Sequence, residues 1–183
     1  MSGNRWQTRL RLFVNSVTEL VSRSPEETSA AGRRFAAGLR PGDVVLMQGG
    51  LGAGKTLFTK AAVGALGFDE CEVTSPSFAL VNLYETDRCD VFHIDLWRLE
   101  PGPDTIFAVG LDEILDGGRA IVFIEWADRI GLQRLGERTF VVNISGDGDD
   151  ERIICIERFG EPGETDSRVS RDLLDGGDAV GDT

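Results

Sequence analysis

Apolar and polar positions change their period several times along this chain. "TRLRLFV" alternates, which sets Leu10, Leu12 and Val14 on one face and predicts a short strand. "SPEETSAAGRRFAAGL" has helical spacing: Ser24 takes the N-cap position, Pro25 the first helical position, and Glu27 completes a capping box. Glu26 and Glu27 also suit the positive end of the helix dipole, and the helix is expected to stop near Gly38. After the turn "RPGD", "VVLMQ" is apolar without alternation, as in a parallel strand buried on both faces. A glycine-rich stretch then leads into a helix from about Gly54 to Leu66. "FALVNLY" and "VFHIDLW" flank the polar "ETDRCD" and read as a hairpin. "PGPDTIFAVGLDEILDGG" predicts a helix from Asp104 to Leu115, ended by Gly117 and Gly118. "AIVFIEW" is a second wholly apolar strand, and "TFVVNI" and "RIICIE" flank the hairpin turn "SGDGDDE".

The glycine-rich stretch, residues 48–56, reads "QGGLGAGKT" and fits GxxxxGK[ST] from Gly49 through Gly54, Lys55 and Thr56, between a strand and a helix. Backbone N–H groups around Gly49, Gly52, Ala53 and Gly54 can turn toward phosphate oxygens without side-chain clashes, and the helix that follows points its positive end at the same anion. Lys55 is placed to reach the β- and γ-phosphates and the Thr56 hydroxyl to ligate magnesium. Such a loop among mixed strands and helices predicts an α/β fold: a P-loop NTPase-like mixed sheet flanked by helices, with antiparallel hairpins. Residues 1–160 are expected to form one domain. From about Gly160, Gly, Asp, Glu and Ser dominate, and residues 161–183 read as an acidic, disordered tail.

Charge and composition narrow the partners. The net charge is −12, of which −8 lies from Asn143 onward. A body this acidic does not offer a broad electrostatic surface to nucleic acid, so DNA is not an expected partner. No apolar run reaches the ~18 residues of a membrane span, and the N-terminus has no segment of signal-peptide type, so a cytoplasmic location without membrane contact is expected. Cys71, Cys89 and Cys155 are scattered without a CxxC pair and read as small buried apolar residues, not as a disulfide or zinc framework. Lys55 and Lys60 are the only lysines, so Lys55 does not stand in the loop through general abundance.

Magnesium and a γ-phosphate call for carboxylates at the ends of neighbouring strands. "VFHID" ends in Asp95 and "IVFIE" in Glu125. Either acid could instead cap its strand or pair with an arginine, Arg98 in the case of Asp95. His93, the only histidine, shares a strand face with Asp95 and reads first as a structural hydrogen-bonder. Trp97 and Trp126 read as core residues, with gating of the nucleotide as the alternative. No guanine-reading NKxD and no LSGGQ signature occurs. What stays open is a magnesium–ATP protein: a small-molecule kinase whose lid arginines come from "RIGLQRLGER" (Arg129, Arg134, Arg138), a regulatory ATPase, or a nucleotide-dependent binding module with little hydrolysis.

After "GGLGAGKT", the segments "TSPSFALVNLYE", "VFHIDLWRL" and "VFIEWADRI" occur in the order that marks the TsaE (YjeE) family of bacterial ATPases, and the chain resembles that family from about Ser24 to Ile156. It departs at Gly50, where the family pattern has Asp, at Ser77 for Thr, at Trp97 for Tyr, and in "EWAD". The resemblance implies a magnesium-dependent ATPase required for threonylcarbamoyladenosine formation on tRNA. Such a protein does not transfer the group itself; it acts on a TsaB–TsaD heterodimer and reaches tRNA through that complex. Carried over motif by motif, Gly52 to Lys55 hold phosphates, Thr56 and Glu125 ligate magnesium, and Asp95 resembles the catalytic or water-positioning acid, with Glu125 the alternative for positioning the water. Ser75 to Phe78 form the segment that senses the γ-phosphate, and Thr28 lies near the adenine.

Overall fold

A computed structural model describes residues 14–159 except 103–104, 106–107, 131–134, 136–137, 147 and 149. The described strands form one seven-stranded sheet in the order β1-β7-β6-β2-β5-β4-β3. Its centre is parallel: β2 (Val44–Gln48) lies between β5 (Ile121–Glu125) and β6 (Thr139–Ser145), and β5 pairs in parallel with β4 (Asp90–Asp95). Antiparallel arms finish both sides, with β3 (Val81–Glu85) on β4, and β7 (Arg152–Phe159) on β6 followed by β1 (Val14–Ser22). The mixed sheet and both expected hairpins are thus present.

The unbroken apolar character of β2 has a simple cause. Val45 and Met47 enter one core with Phe35, Phe58, Phe123 and Phe140, while Val44 and Leu46 enter a second with Ile94, Val122, Ile124 and Leu111. Both faces are covered, so no position from Val44 to Met47 is left for a polar residue, and Gln48 stands only where the strand emerges. Helix α1 (Pro25–Ala37) and helix α2 (Lys55–Ala65) pack on each other over the first face.

Helix α1 starts as its sequence directs, with one difference. The Ser24 hydroxyl accepts from Glu27 N at 3.2 Å, but the Glu27 carboxylate reaches past the cap residue and accepts from Arg23 N at 2.7 Å. Gly38 caps the other end.

Two expected elements change. The alternating stretch before Val14 lies outside the described residues apart from Val14 itself, and β1 runs on to Ser22 through "VNSVTELVS". There the usual pattern is blurred: Thr18 and Ser22 are buried beside the inward Leu20, whereas Val17 and Val21 face outward. The helix expected over 104–115 is interrupted at Gly110, φ 64°: Thr105 and Ala108 are helical before it, and α3 runs from Leu111 to Asp116 after it. The cysteines are not buried: Cys71 is exposed, Cys89 and Cys155 are partly so, and all three are free thiols. Cys71 lies in a short exposed 3-10 turn, and Cys155 sits on the open side of β7 beside Glu19. Among the described residues, no helix is long and apolar enough to cross a membrane. The acidic segment 161–183 lies outside the described residues.

Candidate nucleotide site

Three parallel strands end on one edge of the sheet, and their ends hold the expected groups. The loop after β2 leads through Gly49, Gly52, Ala53 and Gly54 into α2, while Asp95 ends β4 and Glu125 ends β5 as direct register partners. Both acids are buried.

The two packed helices differ at their N-termini. Helix α1 closes its own first turn with a serine cap and two acidic residues. Helix α2 begins at Gly54, φ 109°, with no side-chain cap and no acidic residue in its first turn. Its leading N–H groups and positive dipole end are therefore left for an anion, as a phosphate-binding loop requires.

Lys55 is buried beside this opening. Its ammonium donates to Gly49 O at 2.9 Å and Gly50 O at 2.8 Å and lies 3.9 Å over the Trp126 ring. Burial lowers its pKa, and the nearby Glu125, Asp95 and Asp128 charges act in the opposite direction. The Thr56 hydroxyl donates to Glu125 Oε1 at 2.8 Å, with Oε2 at 3.1 Å. A hydroxyl and a carboxylate from distant segments thus meet beside the loop, the donor chemistry magnesium takes when phosphate oxygens and water complete its shell. Among the described residues no three His, Cys, Asp or Glu side chains form a metal cluster. The protein groups therefore fit a metal shared with phosphate better than an all-protein cage.

Asp95 is not paired with Arg98. Its Oδ2 accepts from the Ser75 hydroxyl at 3.1 Å and its Oδ1 from Trp97 N at 2.9 Å. Arg98 instead donates to Ser77 O at 2.7 Å, with its guanidinium over Phe78, which is 85% exposed. The Ser75–Phe78 segment is thereby tied to the end of β4. It is anchored upstream by Tyr84, whose hydroxyl donates to Thr74 O at 2.9 Å.

Thr28 lies on the other side of the loop, where its hydroxyl meets that of Ser22 at 2.8 Å. Both line a cavity of about 270 Å³ together with Gly54, Leu57, Asp150 and Arg152. Arg152 donates to Ala53 O at 3.3 Å and so joins the β6–β7 turn to the loop. Sequence reasoning did not select Ser22 or Arg152, because each acts through a partner far away in the chain.

The tryptophans are only partly core. Trp126, φ 59°, packs against the second core and meets the half-exposed Trp97 at a tilt of 42°, with centroids 4.3 Å apart. Of the arginines suggested for a lid, Arg138 is engaged far from the loop, whereas Arg129 lies 5.6 Å over the Trp97 ring. Arg138 is buried 3.2 Å from Asp43 and donates to Gly38 O at 3.1 Å, at the opposite end of β2. Arg129 donates to Leu99 O at 2.7 Å, and Arg134 lies outside the described residues.

A glycine loop between a central parallel strand and a helix, with acids ending the two neighbouring strands, defines a P-loop NTPase-like α/β protein. A crystal structure of YdiB from Bacillus subtilis is similar, with a TM-score of 0.64 and 30% identity, covering 86% of this chain and 94% of that one. The model of the family described as "Threonylcarbamoyl adenosine biosynthesis protein TsaE" matches residues 22–154, and the chain belongs to that family. Curated relatives described as "tRNA threonylcarbamoyladenosine biosynthesis protein TsaE" include one from Bacillus subtilis, 39% identical over 75% of this chain and 83% of its own length. Another, from Rickettsia bellii, is 35% identical over 79% and 96%. A third, from Treponema pallidum, is 36% identical over 74% and 97%.

Proposed function

We propose that this chain is a magnesium-dependent ATPase of tRNA threonylcarbamoyladenosine biosynthesis that acts on a TsaB–TsaD heterodimer without transferring the group itself. Family membership supports the pathway. The observation that carries the nucleotide chemistry is the meeting of Thr56 and Glu125 beside the uncapped start of α2.

In this reading the N–H groups from Gly49 to Thr56 bind the phosphates, and the Lys55 ammonium leaves the Gly49 and Gly50 carbonyls to meet the β- and γ-oxygens. Thr56 and Glu125 hold magnesium, which when bound offsets phosphate charge. Asp95 orients the attacking water, and Ser75, now on its carboxylate, registers the γ-phosphate. Thr28 and the cavity beside it take the nucleoside, and Trp126 lies against the site. These groups act by positioning and electrostatics, which is most of what phosphoryl transfer asks of a protein. The buried Arg138–Asp43 pair weighs against a kinase lid built from that segment.

The deciding measurement is ATP hydrolysis by this chain alone and with a TsaB–TsaD pair. Slow turnover alone, raised by the pair, is expected. Turnover indifferent to the pair, together with no ATP-dependent association, would sink the reading.

A further inference from the structure

His93 is wholly buried in β4, and its Nε2 lies 2.8 Å from Glu125 Oε1, the same oxygen that accepts from Thr56 at 2.8 Å. A carboxylate accepts hydrogen bonds, so the ring carries its hydrogen on Nε2. Its Nδ1 is buried with no hydrogen-bond partner among the described residues. The ring therefore makes one polar contact, directed at one oxygen of one acid. A core histidine kept only for packing would leave its polar atoms no such focus, and an apolar residue would fill the space without the orphaned nitrogen.

Backbone register aims this contact. His93 pairs with Phe123 in the parallel β4–β5 ladder, two residues before the Asp95–Glu125 pair. His93 and Asp95 share one face of β4, so the strand that presents the water-orienting acid also supplies the donor that holds the other acid. Glu125 is nearly inaccessible to solvent, so no bulk water substitutes for a lost donor. Without His93 the carboxylate is held by Thr56 alone, the group with which it is proposed to share magnesium.

We infer that His93 is a positioning residue for the metal: by fixing Glu125 Oε1 it sets the carboxylate orientation in which Glu125 and Thr56 together take magnesium. This rests on the proposed magnesium–nucleotide site. A hydrogen-bonded outer shell of this kind is worth roughly 10- to 100-fold in metal affinity.

The test measures binding of a fluorescent ADP analogue to the full chain, first in EDTA and then across a magnesium titration, beside thermal melting. His93→Leu removes the donor, and His93→Gln returns an N–H near the Nε2 position. For His93→Leu the expected result is a magnesium midpoint raised about 10-fold or more, with magnesium-free affinity within about 3-fold of wild type. His93→Gln should recover most of that loss. If His93→Leu does not fold, His93→Asn, whose amide is too short to reach, replaces it against His93→Gln with the same expected contrast. Equal magnesium midpoints in all variants overturn the inference, as does a loss that appears equally in EDTA or that His93→Gln fails to recover. If the wild type itself shows no magnesium-dependent nucleotide binding, the proposed function fails instead, which separates the two failures.

Discussion

Lys55 Nζ rests 3.9 Å above the ring of Trp126 while donating to the carbonyls of Gly49 and Gly50. The amino group is thus held inside its own loop, under an aromatic residue in the left-handed backbone region. Moving it onto a phosphate trades hydrogen bonds to neutral carbonyls for ones in which both partners are charged, and hydrogen bonds to charged groups are worth about 1.5–3 kcal/mol each. Lys55→Ala is expected to weaken ATP binding roughly 10- to 100-fold in a calorimetric titration, with the fold intact by circular dichroism. Affinity equal to wild type would remove Lys55 from the site. Nucleotide should also change the tryptophan emission, and Trp126→Phe should lose most of that change.

Gly49 and Gly50 are adjacent but not equivalent. A Cβ at Gly49, φ 137°, would stand 2.2 Å from Ile144 O, whereas one at Gly50 meets nothing within 4 Å. Gly49→Ala is expected to cost more than about 2 kcal/mol in urea unfolding, through backbone strain and the clash. Gly50→Asp, which restores the residue of the family pattern, should melt within the narrow range of an ordinary surface substitution, about 0.5 kcal/mol either way. A large loss at Gly50 would contradict the open geometry.

The two acids should separate by assay. Glu125→Gln is expected to raise the magnesium concentration needed for nucleotide binding, because it weakens the pair proposed to hold the metal. Asp95→Asn should leave that requirement near wild type and lower single-turnover hydrolysis by about 100-fold or more, the scale of a lost general base. Identical profiles for both variants would reject separate roles.

At the other end of β2, burial pushes the Asp43 carboxyl up to about 6, against the lowering influence of Arg40 N–H, Arg138 and Arg158. Unfolded, the group titrates near 4, so the native state binds this proton more tightly. Its contribution to stability is therefore present at low pH and is lost as pH rises through about 6. The stability of wild type minus that of Asp43→Asn should fall by about 2 kcal/mol between roughly pH 4 and pH 6 and then level off. Urea unfolding across that range checks it; a flat difference would show that Asp43 titrates normally.

Much of this fold could be read directly from residue order. β2, the loop, α2 and the apolar β5 announce themselves because both faces of the central sheet are covered and the loop needs glycine. β1 does not, because Thr18 and Ser22 join Leu20 on the inward face while Val17 and Val21 face outward, which blurs the alternation that reveals a strand. The helix expected from Asp104 is interrupted at Gly110, whose positive φ separates the helical Thr105 and Ala108 from the regular turns that start at Leu111. At the site, Asp95 and Glu125 were legible as strand-end carboxylates. The contact of His93 with Glu125 was not, since it depends on the register between strands some thirty residues apart. The burial of Arg138 against Asp43 was hidden for the same reason.

Asp95 and Glu125 face each other across the β4–β5 ladder as register partners. The main chain therefore sets their separation, much as rungs set the width between two rails. Side chains in the surrounding cores can be exchanged over long divergence without altering that interval, so long as both strands keep their alignment. A one-residue slip of β4 would turn His93 and Asp95 to the opposite face together. The fold thus tolerates drift in packing while leaving the relative placement of its two acids almost no freedom to vary.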